Sequence, residues 1–219
     1  LAHNKQNVVK LSNEIYQTDA VFSGSLHGLT GMSNTFSQIL KEGYAVGTFW
    51  GPKCEGIDAE GKFILANNGE SQVIGNAQPK MSMGFGMDFS YRDFDLNVST
   101  YGLFGQDVLN ATSMNTNYPG RLPAYNVYDS FLTSGVTSDP VYSSYWIEKA
   151  SFLRLQSVTL GYNVPLNVKG ISKLNLYVTG ENLFVITNYT GIDPEVSIDG
   201  LSSPGIDMLN YYPRPRTIM

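Results

Sequence analysis

From Met81 to Tyr91 the chain alternates without a break. Met81, Met83, Phe85, Met87, Phe89 and Tyr91 take every second place, with Ser82, Gly84, Gly86, Asp88 and Ser90 between them. A period of two sustained this long predicts a β-strand with one apolar and one polar face. After Arg92-Asp93, Phe94, Leu96 and Val98 alternate with Asp95, Asn97 and Ser99, and the run continues to Phe104, so the two segments predict a hairpin with a tight turn. Nearer the other end, Leu174, Leu176 and Val178 alternate with Asn175, Tyr177 and Thr179, running on through Phe184. Residues 152–162 are also strand-like, but their phase slips. Leu153 and Leu155 fall on odd positions, and Val158, Leu160 and Tyr162 on even ones. A β-bulge or a change of environment along the strand accounts for such a slip.

The connections are of two kinds. Residues 105–150 and 187–215 are rich in Asn, Ser, Thr, Tyr and Pro and read as long loops, whereas 92–93 and 163–172 read as short turns. Long loops at one end of a sheet and tight turns at the other are the asymmetry of outer-membrane barrels. The runs 81–91, 94–104 and 174–184 also reach the roughly 9–11 residues that a tilted strand needs to cross a bilayer. Alternation alone is equally expected of a soluble β-sandwich; loop asymmetry and strand length favour the barrel. No internal repeat of fixed period is visible.

Composition points the same way. Charged residues make up 15% of the chain, against roughly 25% in an ordinary soluble domain, which leaves little charge to cover a water-facing surface. A net charge of -5 without a basic run argues against nucleic-acid binding. The single cysteine, Cys54, has no disulfide partner, and His3 and His27 stand at no metal-ligand spacing from it, so no metal is expected. There is no run of about 18 apolar residues, hence no predicted transmembrane helix. A start at Leu1-Ala2-His3, without Met, reads as a piece cut from a longer polypeptide.

Four blocks in the last 70 residues carry a specific resemblance: Ala150-Ser-Phe-Leu-Arg-Leu-Gln-Ser-Val-Thr-Leu-Gly-Tyr-Asn-Val-Pro165, Leu176-Tyr-Val-Thr-Gly-Glu-Asn-Leu-Phe184, Gly191-Ile-Asp-Pro-Glu-Val196 and Tyr212-Pro-Arg-Pro-Arg-Thr217. In this order they closely resemble the end of SusC/RagA-like TonB-dependent transporters. Glu42-Gly-Tyr-Ala-Val-Gly-Thr-Phe-Trp-Gly51, Ile74-Gly-Asn-Ala-Gln-Pro79 and Gly105-Gln-Asp-Val-Leu-Asn110 look like the same family, so the resemblance covers most of the chain. It implies an all-β fold, the C-terminal part of a transmembrane antiparallel β-barrel that has 22 strands in the family, with long extracellular loops. It implies import of glycan or peptide cargo across the outer membrane of a Gram-negative bacterium of the Bacteroidetes, without enzymatic activity or cofactor. The implied partners are a SusD-like lipoprotein lid, outer-membrane lipid, and the TonB complex, engaged through an N-terminal region and plug lying outside these residues. Two departures stand out. Where relatives carry a calcium-loop-like segment, Gly56-Ile-Asp-Ala-Glu-Gly61 and Asn67-Asn-Gly69 are a degenerate echo. Family chains also continue past the Pro-Arg-Thr motif through a last strand, of which Ile218-Met219 would be only the beginning. The alternative reading is a soluble, secreted β-rich glycan-binding or adhesin domain.

On the barrel reading Met81, Phe85, Phe89, Phe94, Leu96, Leu174 and Leu176 face lipid, and Ser82, Asp88, Asp95, Asn97, Asn175 and Thr179 face the lumen. Tyr91, Tyr162 and Tyr177 are candidates for interfacial girdles. Loop aromatics are the candidates for substrate contact: Tyr118, Tyr125, Tyr128, Tyr142, Tyr145 and Trp146, whose flat rings can stack on a sugar or a peptide side chain; loop packing is the competing role for each. Asp193, Glu195, Asp199 and Asp207 form a carboxylate-bearing loop that superficially suggests glycosidase chemistry, but Asp before Pro is ordinary turn chemistry. Gly84-Phe-Gly86 opens like a dinucleotide fingerprint and fails at Phe89.

Overall fold

Alternation of this kind builds sheets, and the computed structural model is mostly strand. It describes residues 1–166, 168–196, 203–209 and 212–219; Asp199 lies outside them. In chain order the strands are β1 (Ala2–His3), β2 (Val21–Ser25), β3 (Phe36–Leu40), β4 (Thr48–Pro52), β5 (Cys54–Ile57), β6 (Phe63–Leu65), β7 (Ser71–Asn76), β8 (Met81–Tyr91), β9 (Phe94–Phe104), β10 (Asp107–Asn110), β11 (Ile147–Lys149), β12 (Phe152–Val164), β13 (Leu174–Thr187), β14 (Ile206–Asp207) and β15 (Thr217–Ile218). Two short helices, α1 (Ala111–Thr116) and α2 (Asp129–Ser134), lie between β10 and β11.

The long strands form one antiparallel sheet in the order β1-β8-β9-β12-β13-β15. Eleven residues of β8 rise about 36 Å along the strand, and a tilt near 40° brings that to about the height of an outer-membrane apolar band. β8 and β9 are joined by the expected two-residue turn, with Arg92 at φ 55°. The slip in β12 is a bulge. Leu155 pairs with Thr100 and Ser157 with Ser99, so Gln156 is extra relative to β9. On the other side Leu155 pairs with Phe184 and Ser157 with Glu181, and Asn182 in the gap adopts φ 52°. The irregularity in both ladders keeps Leu153 and Leu155 on the same face as Val158, Leu160 and Tyr162.

The connections at the far end are not structureless. Residues between β1 and β8 fold into a four-stranded sheet (β2-β3-β4-β7) and the β5-β6 hairpin, and the later long connections contribute the sheet β11-β10-β14. The β10–β14 pairing is parallel and joins chain segments about a hundred residues apart, Leu109 lying beside Ile206. One core runs through all three connections, with Leu26, Met32 and Phe49 from the first, Leu109, Met114 and Trp146 from the second and Ile206 from the third. Polar ties follow the same route: Tyr142 Oη donates to Ser37 O (2.7 Å) and Gln38 Nε2 to Pro204 O (2.6 Å). Gly51 is required here because a Cβ would stand 2.5 Å from the Tyr142 ring. The loops thus form a single folded cap over one end of the long-stranded sheet.

Candidate functional site

Strand register sorts the sheet into two faces. On one, Phe89, Leu96, Leu160 and Val178 lie in a row, flanked by the rows Tyr91–Phe94–Tyr162–Leu176 and Met87–Val98–Val158. Phe89 and Leu176 are each 57% exposed, and Phe85, Phe94, Leu174, Phe184 and Ile186 are exposed with them. Met81 and Leu96, on the same face, are half-buried. Contiguous apolar surface of this extent marks contact with an apolar partner or solvent. Tyr91, Phe94 and Tyr162 gather at the short-turn end, with Phe94 and Tyr162 ring centres 4.8 Å apart. Tyr177 instead projects from the opposite face, in the row of Ser90, Asp95 and Gly161.

That opposite face is laced by polar side chains. Ser90 Oγ donates to Asp95 (2.7 Å), Asn163 Nδ2 donates to the other Asp95 oxygen (2.6 Å), and Asn175 Nδ2 donates to Asn163 (3.0 Å), a ladder that crosses four strands. Thr159 and Thr179 pair beside it at 2.9 Å, and Asn97 bonds Asp88. The carboxylates of Asp88 and Asp95 and the amides of Asn97, Asn163 and Asn175 each find a partner on a neighbouring strand, which gives a hydrophilic wall.

Where this wall meets the cap, three of the sequence blocks converge. Arg154, on the polar face of β12, is buried; its Nη2 lies 2.6 Å from Asp193 Oδ1, and their side chains are 4% and 5% exposed. Arg154 Nε lies 3.6 Å from Glu195 Oε2, and Arg214 Nη2 lies 2.7 Å from Glu195 Oε1. Tyr101, opposite Arg154 in the ladder, bonds Glu195 as well. Asp193 Oδ1 also accepts from the Glu195 amide at 2.9 Å. These carboxylates close an ionic clamp that fastens residues 188–196 against the polar face.

The cap carries a cleft of about 710 Å³ between α1, α2, β11 and residues 188–192. Asn110 caps α1 by accepting from Ser113 N (2.8 Å) and donates from Nδ2 to Glu148 (2.8 Å). Glu148 also accepts from the Thr190 backbone amide and hydroxyl, both at 2.8 Å, and so holds 188–192 in place. Asp207, 1% exposed, accepts from Tyr189 Oη (2.7 Å) and Thr112 Oγ1 (2.9 Å). Burial, reinforced by the Asp207 charge, holds the Tyr189 hydroxyl pKa well above its ordinary value; burial alone does the same for Tyr142.

Of the six loop aromatics, Tyr128, Tyr145 and Trp146 line this cleft. Tyr145 is 38% exposed, its ring set edge-on to Trp146 (4.8 Å) and Phe63 (5.3 Å). Trp146 is buried and donates from Nε1 to Val141 O. Tyr142 is buried in the cap core, and Tyr118 is buried with its hydroxyl bonded to Thr30. Tyr125 is exposed under the Arg121 guanidinium. Sequence reasoning missed Asn110, Glu148 and Thr190, which are separated by about 40 residues each and share no motif. The clamp had a signal: an arginine in a strand flanked by apolar residues needs a buried counter-charge.

No family model matches the chain. TonB-dependent receptor P3 of Formosa agariphila is 28% identical over 231 residues, covering 90% of this chain and 22% of the receptor. TonB-dependent receptor SusC of Bacteroides thetaiotaomicron is 28% identical over 225 residues, covering 85% and 20%. The solved structure of the RagAB peptide transporter superposes with a TM-score of 0.71 at 20% identity, over 93% of this chain and 24% of that one, which establishes a shared fold. The chain spans about a fifth of the length of the curated relatives it matches.

Proposed function

We propose, from a chain that is a SusC/RagA-like segment of a TonB-dependent receptor barrel, that residues 1–219 form the C-terminal wall and extracellular cap of an outer-membrane importer of glycans or peptides. The observation that carries the proposal is the two-faced sheet. One face exposes Phe85, Phe89, Phe94, Leu174 and Leu176, and the other is the hydrogen-bonded polar ladder from Ser90 to Asn175. A soluble sandwich would cover the first face with a second sheet; lipid covers it in a barrel. On this reading Met81 and Leu96 also meet lipid, and the loop aromatics Tyr128 and Tyr145 meet cargo. Passage of cargo and coupling to TonB belong to the parent receptor as a whole, and a SusD-like lipoprotein would close over the cap.

The test is extraction. The protein carrying this chain should remain with the outer-membrane fraction through alkaline and urea washes and come out only with detergent. Release into the aqueous phase by either wash would leave the exposed apolar face without its lipid and overturn the reading.

A further inference from the structure

Tyr91, Phe94 and Tyr162 mark the rim of the exposed apolar face at the short-turn end, and one charged side chain joins them. The Arg92 guanidinium carbon stands over the Tyr91 ring, 5.3 Å from its centre, so this cation keeps company with the rings that the apolar face presents. The other turn residue, Asp93, shares the parity of Asp95 and the polar ladder. Arg92 enters none of the ion pairs among the described residues.

The backbone supplies a second observation. Arg92 adopts φ 55° in a two-residue hairpin turn, a conformation that Gly, Asn and Asp take more readily. A long basic side chain stands there against that preference, and an outlier of this kind points toward function. Depth decides which anion it meets. β8 crosses the apolar band from Met81 at the cap end to Tyr91 at the other, and Arg92 follows at once, at the level where lipid phosphates begin. A guanidinium resting on a ring keeps its in-plane N–H donors for a partner, and their fork matches two phosphate oxygens. Hydrocarbon chains of the same molecule would run on along Phe89, Leu96 and Leu160, so one continuous surface meets both parts of a lipid.

We infer that Arg92, with Tyr91, Phe94 and Tyr162, forms a binding site for the phosphate of a glycerophospholipid in the bilayer leaflet at the short-turn end. The inference rests on the barrel reading and adds to it a lipid held at a named place. The experiment uses the intact protein carrying this chain, purified in dodecyl maltoside, and a phosphatidylglycerol with a photoreactive diazirine on the first carbons of one acyl chain. After illumination, mass spectrometry maps the label.

Label should appear in the peptides holding residues 91–94 and Tyr162. Unlabelled phosphatidylglycerol should suppress it, diacylglycerol with the same chains at least about tenfold less effectively, and millimolar inorganic phosphate should not. Arg92→Gln should lower labelling about tenfold. Arg92→Gly suits the left-handed turn, so it should assemble at least as well by heat-modifiable migration and still lose the label. Lys169→Gln removes a charge from the β12–β13 turn at the same end of the sheet and should leave labelling unchanged. Absence of label from these peptides, labelling indifferent to both Arg92 substitutions, an equal loss with Lys169→Gln, equal competition by diacylglycerol, or displacement by inorganic phosphate would each overturn the inference. Failure of the barrel reading is separately visible, because the protein would then purify without detergent whatever it binds.

Discussion

Replacing Arg154 by Met tests whether the ionic clamp holds the third loop to the wall. The substitution preserves the length of the apolar stem and removes the charge. Asp193, with 5% of its side chain exposed, then loses its cation while retaining one bond from the Glu195 amide. Breaking a buried pair from one side costs about 3–5 kcal/mol, because a carboxylate is left desolvated and unpaired. The Glu195–Arg214 contact contributes far less, since Arg214 is 44% exposed and solvent screens it. Hydrogen–deuterium exchange over residues 188–196 in the membrane-embedded protein reads the loss, and 3 kcal/mol corresponds to about a hundredfold faster opening. Pairing Arg154→Met with Asp193→Leu should restore most of the protection, because the orphaned charge is gone. If exchange in 188–196 is unchanged by Arg154→Met, or if the double substitution is worse than the single one, the clamp does not hold the loop.

Further outcomes follow from the same geometry. Lysine at Phe89 or Leu176 should impair outer-membrane assembly, scored by heat-modifiable migration, at a cost of about 2–4 kcal/mol near the bilayer midplane; lysine at Asn97, on the polar face, should be tolerated. Deleting Gln156 removes the extra residue and puts one half of β12 on the wrong face, so assembly should fail far more severely than with Gln156→Ala. Alkaline pH should loosen the cap. Tyr142 and Tyr189 have hydroxyl pKa values raised by burial, so their contribution is fully present below the unfolded value of about 10 and is lost as pH rises beyond it. Cap protection from exchange and tyrosinate absorbance should change together, and Tyr142→Phe should weaken the coupling.

The long strands are legible because one face of each answers to a single environment. Met81 to Tyr91 alternates throughout, and even the slip at Leu155–Val158 points to its bulge. The cap is not legible in this way. Its strands run two to six residues, too short for periodicity to build, and its core joins Phe49, Leu109 and Ile206 from three separate connections. Nothing local separates Tyr142, which fills the core beside Gly51, from Tyr145 three residues on, which lines the cleft. Both stand in the same Ser/Tyr-rich stretch, and only the tertiary fold assigns one to packing and the other to the surface. Asp193 and Glu195 resemble a catalytic pair in sequence because the arginines that neutralise them are distant in the chain.

On the proposed function, one face of the β8-β9-β12-β13 sheet meets lipid and the other meets water. Single cysteines placed at Phe85, Phe89, Leu160 and Leu176, and at Asp88, Asn97, Thr159 and Asn175, in an otherwise cysteine-free background of the intact protein that includes Cys54→Ser, separate the two faces. With a spin label at each, the first set should relax with a lipid-dissolved agent and the second with a water-soluble one, alternating residue by residue along the strands. Equal access of the water-soluble agent to both sets would contradict the account.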